Sequence, residues 1–264
     1  MDILQSLPVL LIAILLHEAC GHKFFAETFT SLKPTMIAIG VPIVKATEAK
    51  TYNTKLGTIK LPSFKVNTIW KKIERKGKIP IILSWLLIGG GVGFEDKEYY
   101  SVGKLGEKVL MILAGPLVNF LAAFLVILAF SDLVTAWEIL KSNSLVTAEL
   151  LVALVSTTTV PEALSRHGFY ESTLLLANQT LYWQMLAYFA LWNISLAVTN
   201  LLPVPGLDGG QIVSTFLINI FGERIIPSVK KVNTVFAYVL ILVSTVAVVW
   251  WIIASFVNLI KTLV

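Results

Sequence analysis

The chain has 264 residues, 56% of them hydrophobic and only 14% charged, with a net charge of +5. Soluble domains are about a quarter charged and about 45–50% apolar. Here the apolar residues gather in long runs, which excludes a water-soluble globule and implies several membrane spans. The single cysteine, Cys20, excludes an internal disulfide framework.

In chain order, MDILQSLPVLLIAILL lacks a basic n-region and runs straight into residues that carry chemistry, so it reads as a retained span over roughly 7–26. Residues 27–106 differ in character. Short β-prone stretches (TMIAIGVPIV, LGTIKLPSFKV, KIPIILSWLLIG) broken by Gly, Pro and Lys predict a small antiparallel sheet. A second span is expected over 107–130, then an outward loop, 131–181, holding a short apolar helix (SLVTAELLVALVSTTTV, 144–160). A third span covers 182–203, a loop 203–232, and a fourth span 233–260. The expected fold is a mainly α membrane protein: about four transmembrane helices, with a small membrane-associated β-sheet or hairpin region between the first and second. It forms one polytopic domain, 1–264, in the lipid bilayer of a cell membrane. Most Lys and Arg lie in 27–106, and Arg224, Lys230 and Lys231 lie in 203–232, whereas 131–181 holds only Lys141 and Arg166. The positive-inside rule then places 27–106 and 203–232 in the cytoplasm. No nucleic-acid partner is expected.

The chemistry begins at LLHEACGHKFF, 15–25. Ionisable residues inside a span are expensive and face a cavity or a partner. His17, Glu18 and His22 resemble the zinc-hydrolase pattern His-Glu-x-x-His, lengthened by one residue. An α-helix turns about 100° per residue, so i and i+4 lie about 40° apart while i and i+5 lie about 140° apart. Three repairs are open: a π-bulge, which absorbs one residue; a helix end near Gly21; or Glu18 and His22 as the ligand pair, with His17 in another role.

The second constellation is TNLLPVPGLDGGQ, 199–211, where prolines and glycines interrupt any helix and Asp208 is the nearby carboxylate. Irregular backbone at membrane depth is tolerated where protein buries it or it lines a cavity. His17, His22 and Asp208 suit a catalytic Zn2+ site with a fourth position for water, and Glu18 suits the general base beside it. In AGPLVNFLAAF, 114–124, Ala114 and Gly115 allow close helix contact. Asn119 is open to an interhelical bond or a place in substrate binding. Asn200, directly before the unwound loop, is the stronger candidate for the site.

HEACGH, AGPLVNF and NLLPVPGLDGG, in this order on separate spans, resemble the site-2 protease family of intramembrane zinc metalloproteases, and KIPIILSWLLIGGGVGF resembles that family's membrane-associated β-region. The resemblance implies zinc on His17, His22 and Asp208, catalysis by Glu18, and substrate backbone held by Asn200. It also implies substrates that are membrane proteins with a transmembrane segment. The segment must unwind to expose its peptide bonds, and the Gly-rich strand region Ile79–Phe94, at Gly90 and Gly91, is expected to hold it by β-augmentation. Three features depart from the family pattern: the longer His spacing, Gln211 where many members carry a histidine, and an outward loop too short for a PDZ domain. An inactive relative that binds single-span proteins is the alternative. A small transporter would also use broken helices, but no internal repeat is visible.

Overall fold

The structure, a computed structural model, describes residues 3–41, 43–54, 57–67, 71–75, 78–83, 86–95, 99–153, 180–240 and 242–243. Helix α1 (Ile3–Leu15), a π-helical segment (Leu16–Lys23) and α2 (Phe24–Phe29) follow one another without a break and form a single rod. Within it Pro8–Phe29 is long and apolar enough to cross a membrane, as are α3 (Leu105–Leu128) and α5 (Leu181–Leu201). These are the three expected spans, shifted by a few residues. The fourth, 233–260, begins inside a helix that starts at 226 (α7, described to 240), and its remainder lies outside the described residues.

The apolar residues of α3 show which face meets lipid. Leu110, Leu117, Leu121 and Leu125 share one exposed stripe, while Met111, Gly115 and Asn119 are buried on the other side. An exposed leucine stripe beside a small, polar buried face is the arrangement expected where the outer solvent is hydrocarbon. The rod runs antiparallel to α3: His22 meets Met111, and His17 meets Asn119 farther along.

The helix anticipated over 144–160 starts earlier. Helix α4 spans Leu133–Ala153 and packs on α3 and α5, with Leu140 in a buried cluster beside Ala123, Ala190 and Ile194. Its start is fixed by Asp132, whose Oδ1 accepts the amides of Val134 and Thr135 at 2.9 and 3.0 Å. Residues 154–160 lie outside the described set. The stretch read as a loop, 203–232, also contains more helix than expected: α6 (Asp208–Phe221), a 3₁₀ turn (Glu223–Ile225) and the start of α7.

Among the described residues six strands lie between the rod and α3: β1 (Pro34–Val41), β2 (Ile43–Thr54), β3 (Gly57–Asn67), β4 (Lys71–Arg75), β5 (Lys78–Leu83) and β6 (Leu86–Phe94). β2 and β3 make a two-stranded antiparallel ribbon, and the other four pair in the order β4-β5-β1-β6. The sheet is mixed, not purely antiparallel as expected, because β1 inserts between β5 and β6 and runs parallel to β5. Ile37 and Ile39 on β1 are buried, which ties the sheet to the helices. Among the described residues β6 is left as an edge, paired to β1 on one side, and its face at Gly90 lies against Glu18 of the π-helical segment. The start of α3 is fastened to the end of the rod by Glu107, which accepts from the Ser31 amide at 2.6 Å and its hydroxyl at 2.7 Å.

Candidate metal centre

The one-residue surplus in HEACGH is absorbed by the backbone. Leu16–Lys23 is π-helical, and the amide of Phe24 bonds the carbonyl of Ala19, five residues back. Under i→i+5 bonding a residue stacks over the one five before it, so His17 and His22 share a face. The helix does not end at Gly21, and His17 and His22 stay within one continuous helical segment. Cys20 is left exposed, away from the histidines.

Glycine makes this crossing possible. A Cβ on Gly21 would lie 2.5 Å from the Gly115 Cα, and one on Gly115 would lie 2.7 Å from the His17 Cε1 and closer still to the His22 Nε2. Rod and α3 therefore meet backbone to backbone, with both imidazoles passing over Gly115.

Each histidine is oriented from behind. His17 Nδ1 donates to Asn119 Oδ1 at 3.1 Å, and His22 Nδ1 donates to the Met111 carbonyl at 2.9 Å. With protons held there, both Nε2 atoms present lone pairs. Those atoms lie 3.0 Å apart, and Asp208 Oδ2 lies 3.1 Å from the first and 3.3 Å from the second. Three buried electron-pair donors at such separations repel one another unless they share a proton or a cation. Tetrahedral zinc with ligands at about 2.0–2.1 Å sets neighbouring ligand atoms about 3.3 Å apart. The donor set fits the ion. Among the described residues, His17, His22 and Asp208 are the group that meets the requirement for a metal site.

Asp208 arrives through the Pro/Gly segment. α5 ends at Leu201, the chain turns through Pro203, Pro205 and Gly206 (φ 95°), and Asp208 opens α6. Gly209 and Gly210 have no room for a side chain, because a Cβ on either would collide with carbonyl groups of Leu201, Leu202 or Val204. The glycines thus let the turn fold against its own helix and aim the carboxylate at the histidines.

Around the donors is a chamber of about 90 Å³ lined in part by Glu18, Gly90, Gly91, Asn200 and Gln211. Glu18 is buried, and its Oε2 has no hydrogen-bond partner among the described residues, a costly state unless water or another ligand meets it. The edge strand reaches it directly: a Cβ on Gly90 would lie 2.8 Å from the Glu18 Cγ, whereas Gly91 has open space beside it. Asn200 Nδ2 points at His17 Nε2 from 3.4 Å. Asn119 is fully buried behind His17 and makes the interhelical bond that the sequence left open; it is not among the described residues that line the chamber.

Several participants carried no readable signal. The Met111 contribution is a backbone carbonyl, invisible in side-chain chemistry. Tyr99 lines the chamber and donates its hydroxyl to Gln211 Oε1, which gives Gln211 a use the motif alone did not suggest. Burial raises the Tyr99 hydroxyl above the ordinary tyrosine value, so it stays a neutral donor. Beneath them, Phe94, Tyr99 and Ile212 pack on a cluster of Ala26, Leu32, Met111 and Ile112. That cluster locks strand edge, rod, α3 and α6 around one point.

Apolar helices thus bring two imidazoles and a carboxylate to one point, with a second carboxylate beside them, a donor set able to hold a metal ion. The model of peptidase family M50 matches residues 6–244. The chain belongs to that family, the site-2 proteases, whose members are intramembrane zinc metalloproteases. A search of curated proteins returns no match.

Proposed function

We propose that this chain is a zinc-dependent intramembrane endopeptidase that cleaves peptide bonds in or near the transmembrane segments of membrane proteins. The observation that carries the reading is the convergence of His17 Nε2, His22 Nε2 and Asp208 Oδ2 within 3.0–3.3 Å of one another, in a chamber that also contains an unpartnered Glu18 oxygen. His17, His22 and Asp208 would hold the zinc. Bound there, zinc supplies Lewis acidity, acidifying a water and polarising a carbonyl.

The remaining work falls to the chain. Glu18 accepts a proton at its free oxygen as water attacks and delivers it to the departing amine nitrogen, closing the proton balance. Asn200 Nδ2, already turned into the chamber, donates to substrate backbone. Asn119 and the Met111 carbonyl keep the imidazole protons on Nδ1, so both Nε2 atoms remain ligands. Among the described residues β6 has no partner strand on its outer edge, which offers its backbone groups to a substrate unwound from its helix, and Gly90 keeps a side chain out of the space beside Glu18. The basic residues of 27–106 and 203–232 support, under the positive-inside rule, an opening toward the cytoplasm. The longer histidine spacing is the main ground for the alternative, an inactive relative; the π-helical segment, which sets both histidines on one face, supports the active reading.

The test is metal analysis of purified protein paired with cleavage of a single-span reporter. About one zinc per chain and cleavage by the wild type are expected. Glu18→Gln should keep zinc and lose cleavage, and Asp208→Ala should lose both. Zinc-free wild-type protein that cleaves nothing would establish the inactive reading. Cleavage surviving Glu18→Gln would remove Glu18 from the mechanism.

A further inference from the structure

A second cavity, of about 350 Å³, opens beside the catalytic chamber and shares Val92, Phe94, Tyr99 and Gln211 with its wall. That size is at the lower end for sites that enclose small ligands, and well beyond what water and one catalytic carboxylate require. Its far wall comes from α7, through Asn233 and Thr234. The described residues lining it carry no charged side chain but several hydrogen-bonding groups. Lys230 lies over the ring of Tyr100, a wall residue, at 4.6 Å from its centre. Asn233 is held by Ser214 at 3.4 Å, a long contact that a better partner could replace.

The edge strand connects the two spaces. Side chains alternate along a strand, and the pairing of β6 with β1 is regular from Gly90 to Val92. Gly90 faces Glu18. Val92 and Phe94, two and four residues on, line the second cavity. One face of β6 thus leads from the catalytic carboxylate into the cavity over about 13 Å. A substrate strand added to that edge has the same alternation. Residues two and four positions from the one opposite Gly90 then lie beside the cavity that Asn233 and Thr234 line.

We propose that this cavity is a side-chain subsite of the protease, and that it selects membrane segments carrying an uncharged hydrogen-bonding residue (Asn, Gln, Ser or Thr) two to four positions from the cleaved bond. The inference rests on the proteolytic reading and adds the substrate class. Asn233 is half-buried and Thr234 exposed, and a bound side chain that removes such groups from water without pairing them is disfavoured, so the site discriminates against an apolar occupant. In an otherwise apolar segment one such residue is a distinctive mark.

The test uses the full-length protein in lipid vesicles and Lys-flanked Leu/Ala single-span peptides, each with one Asn at a scanned position. Cleavage products are identified by mass. An Asn at the subsite position should raise kcat/KM about tenfold over Leu, and the Asn233→Leu/Thr234→Val variant should reduce that ratio to about twofold or less. In parallel, a Cys20→Ala/Glu18→Gln/Thr234→Cys protein is oxidised with peptides carrying one scanned cysteine. Disulfides should form at alternate positions, the period of a strand. Alternate-position crosslinks without any wild-type cleavage would overturn the proteolytic reading and leave the subsite standing. Cleavage with no crosslink, crosslinks at helical spacing, or an Asn preference unchanged in the double variant would overturn the subsite.

Discussion

Deleting Cys20 tests whether the π-helical segment is what makes HEACGH a metal site. In an α-helix His17 and His22 would be separated by five steps of about 100°, leaving them about 140° apart, whereas four steps leave about 40°. The structure closes that gap with i→i+5 bonding and brings the two Nε2 atoms to 3.0 Å. Cys20 is exposed and contributes no side chain to the chamber. Its removal leaves His-Glu-Ala-Gly-His, lets the segment return to ordinary α-bonding, and keeps both the histidines and the glycine facing Gly115 in phase. The deletion variant should retain its zinc, measured by inductively coupled plasma mass spectrometry. It should cleave within about tenfold of wild type, a difference of about 1.4 kcal/mol in barrier. Inserting one alanine after Cys20 instead turns the second histidine about another 100°, and that variant should lose zinc while its helical circular dichroism persists. A folded, zinc-free deletion variant, or an insertion variant that binds zinc as wild type does, would refute the reasoning.

Three further substitutions probe the surroundings. Gly115→Ala places a methyl 2.7 Å from the His17 Cε1. Restoring a normal contact of about 3.5–4.0 Å moves the ring by about 1 Å, so reporter cleavage should fall about 100-fold; an unaltered rate would contradict the crossing geometry. Asn119→Leu removes the acceptor for His17 Nδ1. Zinc affinity measured against a competing chelator should drop about 10–100-fold, and unchanged affinity would show that Asn119 does not orient the ring. Gly90→Val drives a side chain into Glu18, 2.8 Å from its Cγ. Cleavage should be lost with zinc content unchanged, whereas loss of zinc would mean that the strand edge supports the metal ligands instead of the substrate path.

The spans were readable because nothing else in a protein needs about twenty consecutive apolar residues, and AGPLVNF and NLLPVPGLDGG marked the helices that meet. The spacing of His17 and His22 stated a geometric problem whose solution depended on packing. Which repair occurs is decided by Gly21 against Gly115 and by the two acceptors behind the imidazoles, all contributed by a helix far along the chain. The parallel pairing of β1 with β5 is non-local, so local alternation could not reveal it. Helix α6 was obscured because the Pro/Gly run before it read as irregular chain, although those glycines fold the turn onto the helix that Asp208 begins. The apolar signal of α4 is diluted by Glu138, Lys141 and Glu149, and its packing on α3 and α5 came only with the structure. Tyr99 has no motif around it, and its place at the chamber follows from where β6 ends.

The central claim is that His17, His22 and Asp208 share one zinc ion across the π-helical segment. Zinc K-edge X-ray absorption on the purified protein tests it most directly. The expected first shell contains two imidazole nitrogens and carboxylate or water oxygen at about 2.0–2.1 Å, with the carboxylate contribution lost in Asp208→Ala. A sulfur shell at about 2.3 Å, which would bring in Cys20, or a first shell with a single imidazole, would contradict it.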